Sequence, residues 1–332
     1  MSSWLLDRLR RLRTWLLVRL GLWRGEWRRG RVRIAADARL LPWALAVSRA
    51  RRPWRYGLYA PAGLRDDEAA PLIVVLHGCR QRALSFTFAS GWTHFADRAG
   101  VRLLSPEQRR LANILRCWNW FHPQAQAGRG ELDAIVAMIE DAAARVRVDA
   151  TRVGAVGLSA GGALAALLAF HRRDRFRAVV AVAAPPLLGS ATHNPHAVMQ
   201  GGLALDPLLA LGTLREPCAP LAIVHGSADE VVAPRCAAQL LAQALESQRR
   251  AGLQPTPTEA APEEAGISNA DYRADSKLLV RSVLIRDAGH AWTGGPGGHP
   301  YCERSGVPLT ALCARFLRDA GLFESGAAAP SG

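Results

Sequence analysis

Val153-Gly154-Ala155-Val156-Gly157-Leu158-Ser159-Ala160-Gly161-Gly162 is the stretch whose reading decides the fold. A β-like run, Val153 to Val156, leads into Gly-Leu-Ser-Ala-Gly, and a helix-like run, Ala160 to His171, follows at once. A serine in that frame, between strand and helix, sits on a strained turn with its hydroxyl exposed above a sheet. The glycines at 157 and 161 suit so sharp a turn, because a Cβ there would strike neighbouring backbone. The helix N-terminus adds a positive field where an oxyanion would form. Ser159 is therefore the candidate nucleophile.

Further short apolar runs read as strands buried on both faces: Leu72 to Leu76, Val101 to Leu104, Ala178 to Val182, Leu221 to Val224 and Leu279 to Ile285. Helix-like segments alternate with them, notably Glu131 to Val146 and Cys236 to Gln248. That alternation predicts an α/β protein with a mostly parallel, doubly wound sheet and helices on both faces. Trp54 to Ala60 reads as an additional antiparallel strand ahead of the first buried one. Pro185 to Pro220 reads as a cap or wall over the site. Ala251 to Ser276, polar and holding Pro255, Pro257 and Pro262, reads as a surface insertion or loop.

A serine hydroxyl needs a base, and the base needs an acid to fix its tautomer. Two strand ends downstream of Ser159 offer these groups: His225-Gly226-Ser227-Ala228-Asp229 and Asp287-Ala288-Gly289-His290. Carboxyl ends of strands are where such sheets build sites. Asp229 is assigned as orienting acid and His290 as general base. Asp287 is the rival acid and is expected to shape the His290 loop. His299, His193 and His196 are the rival bases. His171, ending a helix, is expected to serve only as a C-terminal charge partner. The oxyanion needs two backbone N–H donors. Ala160, following the nucleophile, supplies one, and Cys79 in His77-Gly78-Cys79-Arg80-Gln81 supplies the other, with His77 bracing the loop.

The net charge of +14 is unevenly spread. Residues 1–56 carry 15 Arg against Asp7, Glu26 and Asp37, leaving the rest near neutral. Within this arm Leu5, Leu9, Leu12, Leu16, Leu20 and Trp23 recur at helical spacing among arginines. Such a helix suits an anionic lipid or apolar polymer surface, and equally suits packing on its own domain or on a second subunit. No nucleic-acid motif is present, so nucleic acid is not an expected partner. The apolar run Trp15 to Val18 is cut by Arg19, which argues against a signal peptide. The expected organisation is an arm over 1–50, a catalytic domain over 51–323 and a disordered tail over 324–332. Six cysteines are too few for a disulfide scaffold at this length.

In order along the chain stand His-Gly-Cys-x-Gln at 77–81, Cys117-Trp118-Asn119-Trp120-Phe121, Gly-Leu-Ser-Ala-Gly-Gly at 157–162, His-Gly-x-x-Asp at 225–229 and Gly-His-Ala-Trp at 289–292. This series resembles the polyhydroxybutyrate depolymerase family of esterases over roughly Trp54 to Leu317. The resemblance implies an α/β-hydrolase fold and Ser-Asp-His cleavage of short-chain polyesters through an acyl-enzyme, with no cofactor or metal. Related esterases act on feruloyl and acetyl groups of plant polysaccharide, and a general short-acyl carboxylesterase is a further alternative. From another class, a non-catalytic protein coating granules or membranes through the arm remains an alternative. The resemblance also implies that Cys79 and Cys117 lie close together, either bridged or as reduced thiols in a cytosolic protein. Trp118, Trp120 and Trp292 are candidate walls of an apolar substrate groove, with core packing as the alternative. The expected partners are an ester or polyester and, through the arm, a membrane or granule surface. A cytoplasmic or surface-peripheral location is expected from the lack of a signal peptide, and an extracellular one from the family.

Overall fold

The computed structural model describes residues 25–33, 53–188, 194–201, 211–212, 214, 216–259 and 266–323. The amphipathic run 5–23, His193, much of the 185–220 segment and the 324–332 tail lie outside the described residues.

The described strands form one sheet. They are β1 (Glu26–Val32), β2 (Trp54–Ala60), β3 (Ala70–Leu76), β4 (Arg102–Glu107), β5 (Val148–Leu158), β6 (Ala178–Val182), β7 (Leu221–Gly226), β8 (Thr256–Glu259), β9 (Ile267–Ala274) and β10 (Lys277–Ile285). Their spatial order is β1-β2-β4-β3-β5-β6-β7-β10-β9-β8. The run from β4 to β10 is parallel throughout. Antiparallel pairs close both edges.

Alternate residues of one central strand enter two separate cores. Leu72, Val74 and Leu76 pack on one face, Ile73 and Val75 on the other. A strand buried on both faces must be apolar at every position, and for this reason β3 reads as an unbroken run. The first face is covered by α4 (Glu131–Ala143), α5 (Ala160–His171) and α7 (Arg235–Arg250) through Leu132, Ile135, Leu164, Leu168 and Leu240. The second is covered by α1 (Ala83–Ala89), α2 (Trp92–Ala99) and α8 (Leu309–Asp319) through Phe86, Trp92, Phe95, Leu312 and Phe316. Two short helices, α3 (Pro123–Gln126) and α6 (Pro195–Met199), complete the series among the described residues. This is the doubly wound α/β-hydrolase arrangement.

Two edge features differ from the sequence reading. Residues 26–32, inside the stretch assigned to the arm, form β1 and pair with β2 from Glu26↔Ala60 to Val32↔Trp54. Their sequence, Glu-Trp-Arg-Arg-Gly-Arg-Val, hides a strand because an edge needs few apolar contacts. Trp27 packs against Tyr59 at 5.1 Å between ring centroids, and Arg28 pairs with Asp66 at 2.6 Å. Residues 251–276 are likewise not only a loop, since they hold β8 and β9. In β9 the buried Asp271 accepts from Arg281 at 2.6 and 2.8 Å, so an ion pair stands where an apolar side chain would mark a strand.

Candidate active site

Ser159 follows the last residue of β5 and precedes the first of α5, with φ 57° and ψ −120°. A positive φ is unusual for a residue with a Cβ and is held only when the surroundings fix it. Here the Ser159 N–H donates to Val182 O at 2.8 Å, and its carbonyl accepts from Ala163 N–H at 2.9 Å. The flanking glycines are sterically required. A Cβ on Gly157 would lie 2.2 Å from Gly161 O, and one on Gly161 would lie 2.3 Å from Leu76 O.

Asp229 and His290 come from the loops after β7 and β10, parallel neighbours in the sheet. The two loops are stitched by Ser227 N–H to Ile285 O at 2.8 Å and Ala228 N–H to Ala288 O at 3.0 Å. His290 Nδ1 lies 2.7 Å from Asp229 Oδ2, and both side chains are buried. The other carboxylate oxygen accepts from Val231 and Val232 N–H at 2.9 and 2.8 Å. Burial alone would raise the Asp229 pKa. The His290 hydrogen bond and charge, with the Val232 N–H, outweigh it and hold the carboxyl below its ordinary range. Asp229 is thus an ionised acceptor that directs His290 Nδ1–H and leaves Nε2 as the basic atom. Ser159 Oγ and His290 share no hydrogen bond in this structure, though both stand at carboxyl ends of strands in the parallel run.

Of the rivals, Asp287 and His196 fall elsewhere. Asp287 is exposed with φ 56°, and its N–H donates to Ser227 Oγ at 2.9 Å, so it shapes the turn. His225 is buried and held neutral by desolvation, with Nε2 2.8 Å from Val232 O. His196 is exposed on α6. His171 corrects the charge-partner reading: burial lowers its pKa to about 4, so it is neutral near pH 7.

The loop after β3 lies against Ser159, since a Cβ on Gly78 would stand 3.5 Å from Ser159 Cβ. The Gly78 N–H is engaged by Gln81 Oε1 at 2.7 Å. No acceptor among the described residues engages the Cys79 N–H, and Ala160 N–H is one of the orphan donors of a helix start. His77 braces the loop, donating from Nδ1 to Gly78 O at 2.8 Å and accepting at Nε2 from Gln108 N–H at 3.2 Å. A Cys79–Cys117 disulfide ties the loop to the segment after β4, as does Arg80 N–H to Leu115 O at 2.6 Å.

The three tryptophans are core residues rather than walls of an open groove. Trp118, Trp120 and Trp292 are 0, 3 and 0% exposed. Each indole has a structural task or packing partner. Trp118 Nε1 donates to His77 O at 3.0 Å, Trp292 Nε1 donates to Thr310 Oγ1 at 3.0 Å, and Trp120 packs edge-on against Phe121. Large indoles bury most favourably where the N–H finds an acceptor, which draws them inward.

Several residues escaped the sequence reading. Tyr301 places its ring edge-on to His290 at 5.6 Å, and nothing in its local sequence signals that. Gln81 Nε2 donates to Pro300 O at 2.6 Å, joining the Cys79 loop to the His290 segment. Its place in the His-Gly-Cys-x-Gln motif was the available signal. Glu131 is buried, which raises its pKa against hydrogen bonds from Gln108 and Asn119.

The family model described as "Esterase PHB depolymerase" matches residues 54–256. Poly(3-hydroxyalkanoate) depolymerase C of Paucimonas lemoignei is 29% identical over 261 residues, 75% of this chain and 61% of the relative. The chain thus spans less than two thirds of that relative's length. Feruloyl esterase B of Neurospora crassa is 30% identical over 202 residues, 56% of this chain and 67% of the relative. Among solved structures, acetyl xylan esterase from Aspergillus awamori superposes with a TM-score of 0.59 at 16% identity, covering 79% of this chain and 94% of that one, a likeness of fold. The chain belongs to the PHB depolymerase family of esterases.

Proposed function

We propose that this protein is a serine esterase that cleaves short-chain polyester or oligoester bonds of the poly(3-hydroxybutyrate) type. The observation that carries the reading is the ionised Asp229 on His290 Nδ1, set on the same sheet end as Ser159 in its strained turn. In this mechanism Ser159 Oγ attacks the ester carbonyl while its proton passes to His290 Nε2. The Asp229 carboxylate stabilises the imidazolium that forms. The tetrahedral oxyanion accepts from Cys79 and Ala160 N–H, donors already positioned before the charge develops. His290 then returns the proton to the departing alkoxide. Water, deprotonated by His290, releases the acid and restores the serine.

The substrate class rests on the similarity to the Paucimonas depolymerase over most of this chain. Similarity to feruloyl esterase B supports a second reading, hydrolysis of aromatic acyl esters. Acid release from amorphous poly(3-hydroxybutyrate), p-nitrophenyl butyrate and methyl ferulate, compared between wild type and Ser159→Ala, tests both. Serine-dependent release from the polyester supports the first reading. Release from methyl ferulate without polyester activity replaces it with the second.

A further inference from the structure

A cavity of about 860 Å³ lies apart from the triad, between the β1–β2 edge, the start of α1 and the segment after β4. Neither Ser159, Asp229 nor His290 lines it. Arg29 and Arg31 of β1, Arg55 of β2, Arg82 of the turn before α1, and Arg110 and Arg116 of the segment after β4 line it, as does Arg109, whose guanidinium stacks on the Trp54 ring at 4.0 Å. Its one carboxylate, Glu107, is already engaged by Arg116 at 2.7 Å and by the Ala83 N–H at 2.9 Å. Burial first, then the nearby Arg82 and Arg110 charges, lower the Arg116 pKa, as expected where positive charge is in surplus. Such a concentration of guanidinium groups is arranged for anionic oxygens, above all phosphate.

The segment at the rim, which carries the lining residue Leu111, has a different chemistry. Leu111, Ile114 and Leu115 are 62, 80 and 46% exposed, and they stand between Arg110 and Arg116 in sequence. The Cys79–Cys117 bridge and the Arg80–Leu115 hydrogen bond hold this segment in place, so the aliphatic side chains are presented on a braced loop. A soluble polyphosphate would satisfy the arginines and leave the three aliphatic groups in water. Residues 34–52 of the chain carry four Arg and one Asp, the same sign as the cavity, and so do not complement it. An anionic phospholipid satisfies both halves, with a phosphate for the arginines and acyl chains for the leucines and isoleucine.

We propose that this face of the body docks on an anionic phospholipid surface, taking phosphodiester head groups at the arginine cavity and seating Leu111, Ile114 and Leu115 among the acyl chains. The proposed surface includes no residue of the basic segment at 1–24 and does not depend on the esterase reading. Since the braced loop is bonded to Cys79, a bilayer held there lies beside the proposed oxyanion loop.

The test is co-sedimentation of the full chain with phosphatidylglycerol-containing vesicles and with phosphatidylcholine vesicles, at low and high salt. Three double variants are compared: Arg82→Gln with Arg110→Gln, Leu111→Ser with Ile114→Ser, and a charge-matched control, Arg249→Gln with Lys277→Gln, away from the cavity. Each surface arginine contributes about fivefold to partitioning on anionic lipid, so the first variant should lose roughly 25-fold. The second should lose about tenfold or more, through buried aliphatic area. The control should stay within about twofold. Circular dichroism establishes that each variant is folded. Equal partitioning of the cavity, rim and control variants overturns the proposal. So does a rim variant that partitions like wild type while tripolyphosphate binding, read by calorimetry, is lost only in the arginine variant. That result would make the cavity a site for a soluble phosphate.

Discussion

Replacing Cys79 and Cys117 together by serine should separate stability from turnover. The bridge closes a loop with a sequence separation of 38. Releasing a loop of that length returns conformational entropy to the unfolded chain worth about 4 kcal/mol. For a protein of this size that is a fall in Tm of about 6 °C. The Cys79 loop itself, the proposed oxyanion loop, keeps other anchors. His77 retains Gly78 O and Gln108 N–H, Trp118 Nε1 still holds His77 O, and Gln81 still reaches Gly78 N–H and Pro300 O. Loss of an oxyanion donor costs about 100- to 1,000-fold in kcat. With these anchors in place, kcat on p-nitrophenyl butyrate should fall less than about tenfold. Guanidinium unfolding of oxidised wild type and the double variant gives the first quantity, and steady-state kinetics well below the transition gives the second. A stability loss under about 1 kcal/mol would refute the loop-closure argument. A 100-fold loss of kcat in a folded variant would refute the claim that the hydrogen bonds position Cys79.

Other consequences follow from the same geometry. Asp229→Asn should lower kcat/KM by about 1,000- to 10,000-fold with the fold retained, because the amide no longer fixes the His290 tautomer; a loss below tenfold would remove Asp229 from the mechanism. Gly161→Ala should leave no soluble folded protein or cost several kcal/mol, roughly the upper range for core changes, because its Cβ meets backbone oxygen at 2.3 Å; wild-type Tm would contradict the steric reading. His171 titrates at about 4 in the fold and near 6.5 unfolded, so the unfolded state takes the proton first as pH falls. The stability present above pH 6.5 should therefore decline by about 3 kcal/mol in total on going down to pH 4, and His171→Asn should flatten that part of the profile in urea unfolding. An unchanged profile would show that His171 is not the titrating group.

The parallel core was legible because strands buried on both faces carry unbroken apolar runs, as Ala178 to Val182 does. The edges were not. β1 needs only Trp27 and Val32 to pack, and β9 trades an apolar contact for Asp271 with Arg281. The candidates Ser159, Asp229 and His290 stood out for a similar reason: each follows a strand whose pattern is strong, and the structure brings Asp229 and His290 to 2.7 Å. Tyr301 was not, because it reaches His290 across a loop with no period. The tryptophans show the limit of residue type as evidence. An indole near a candidate catalytic residue in sequence serves equally well as core, and all three indoles are buried.

The most direct test of the central claim is covalent labelling by a fluorophosphonate, with the modified residue located by mass spectrometry. A single adduct on Ser159, absent in Ser159→Ala and slowed strongly in Asp229→Asn, is the expected result. A folded protein that hydrolyses p-nitrophenyl butyrate yet carries its label on another residue, or hydrolyses it undiminished as Ser159→Ala, would contradict the assignment.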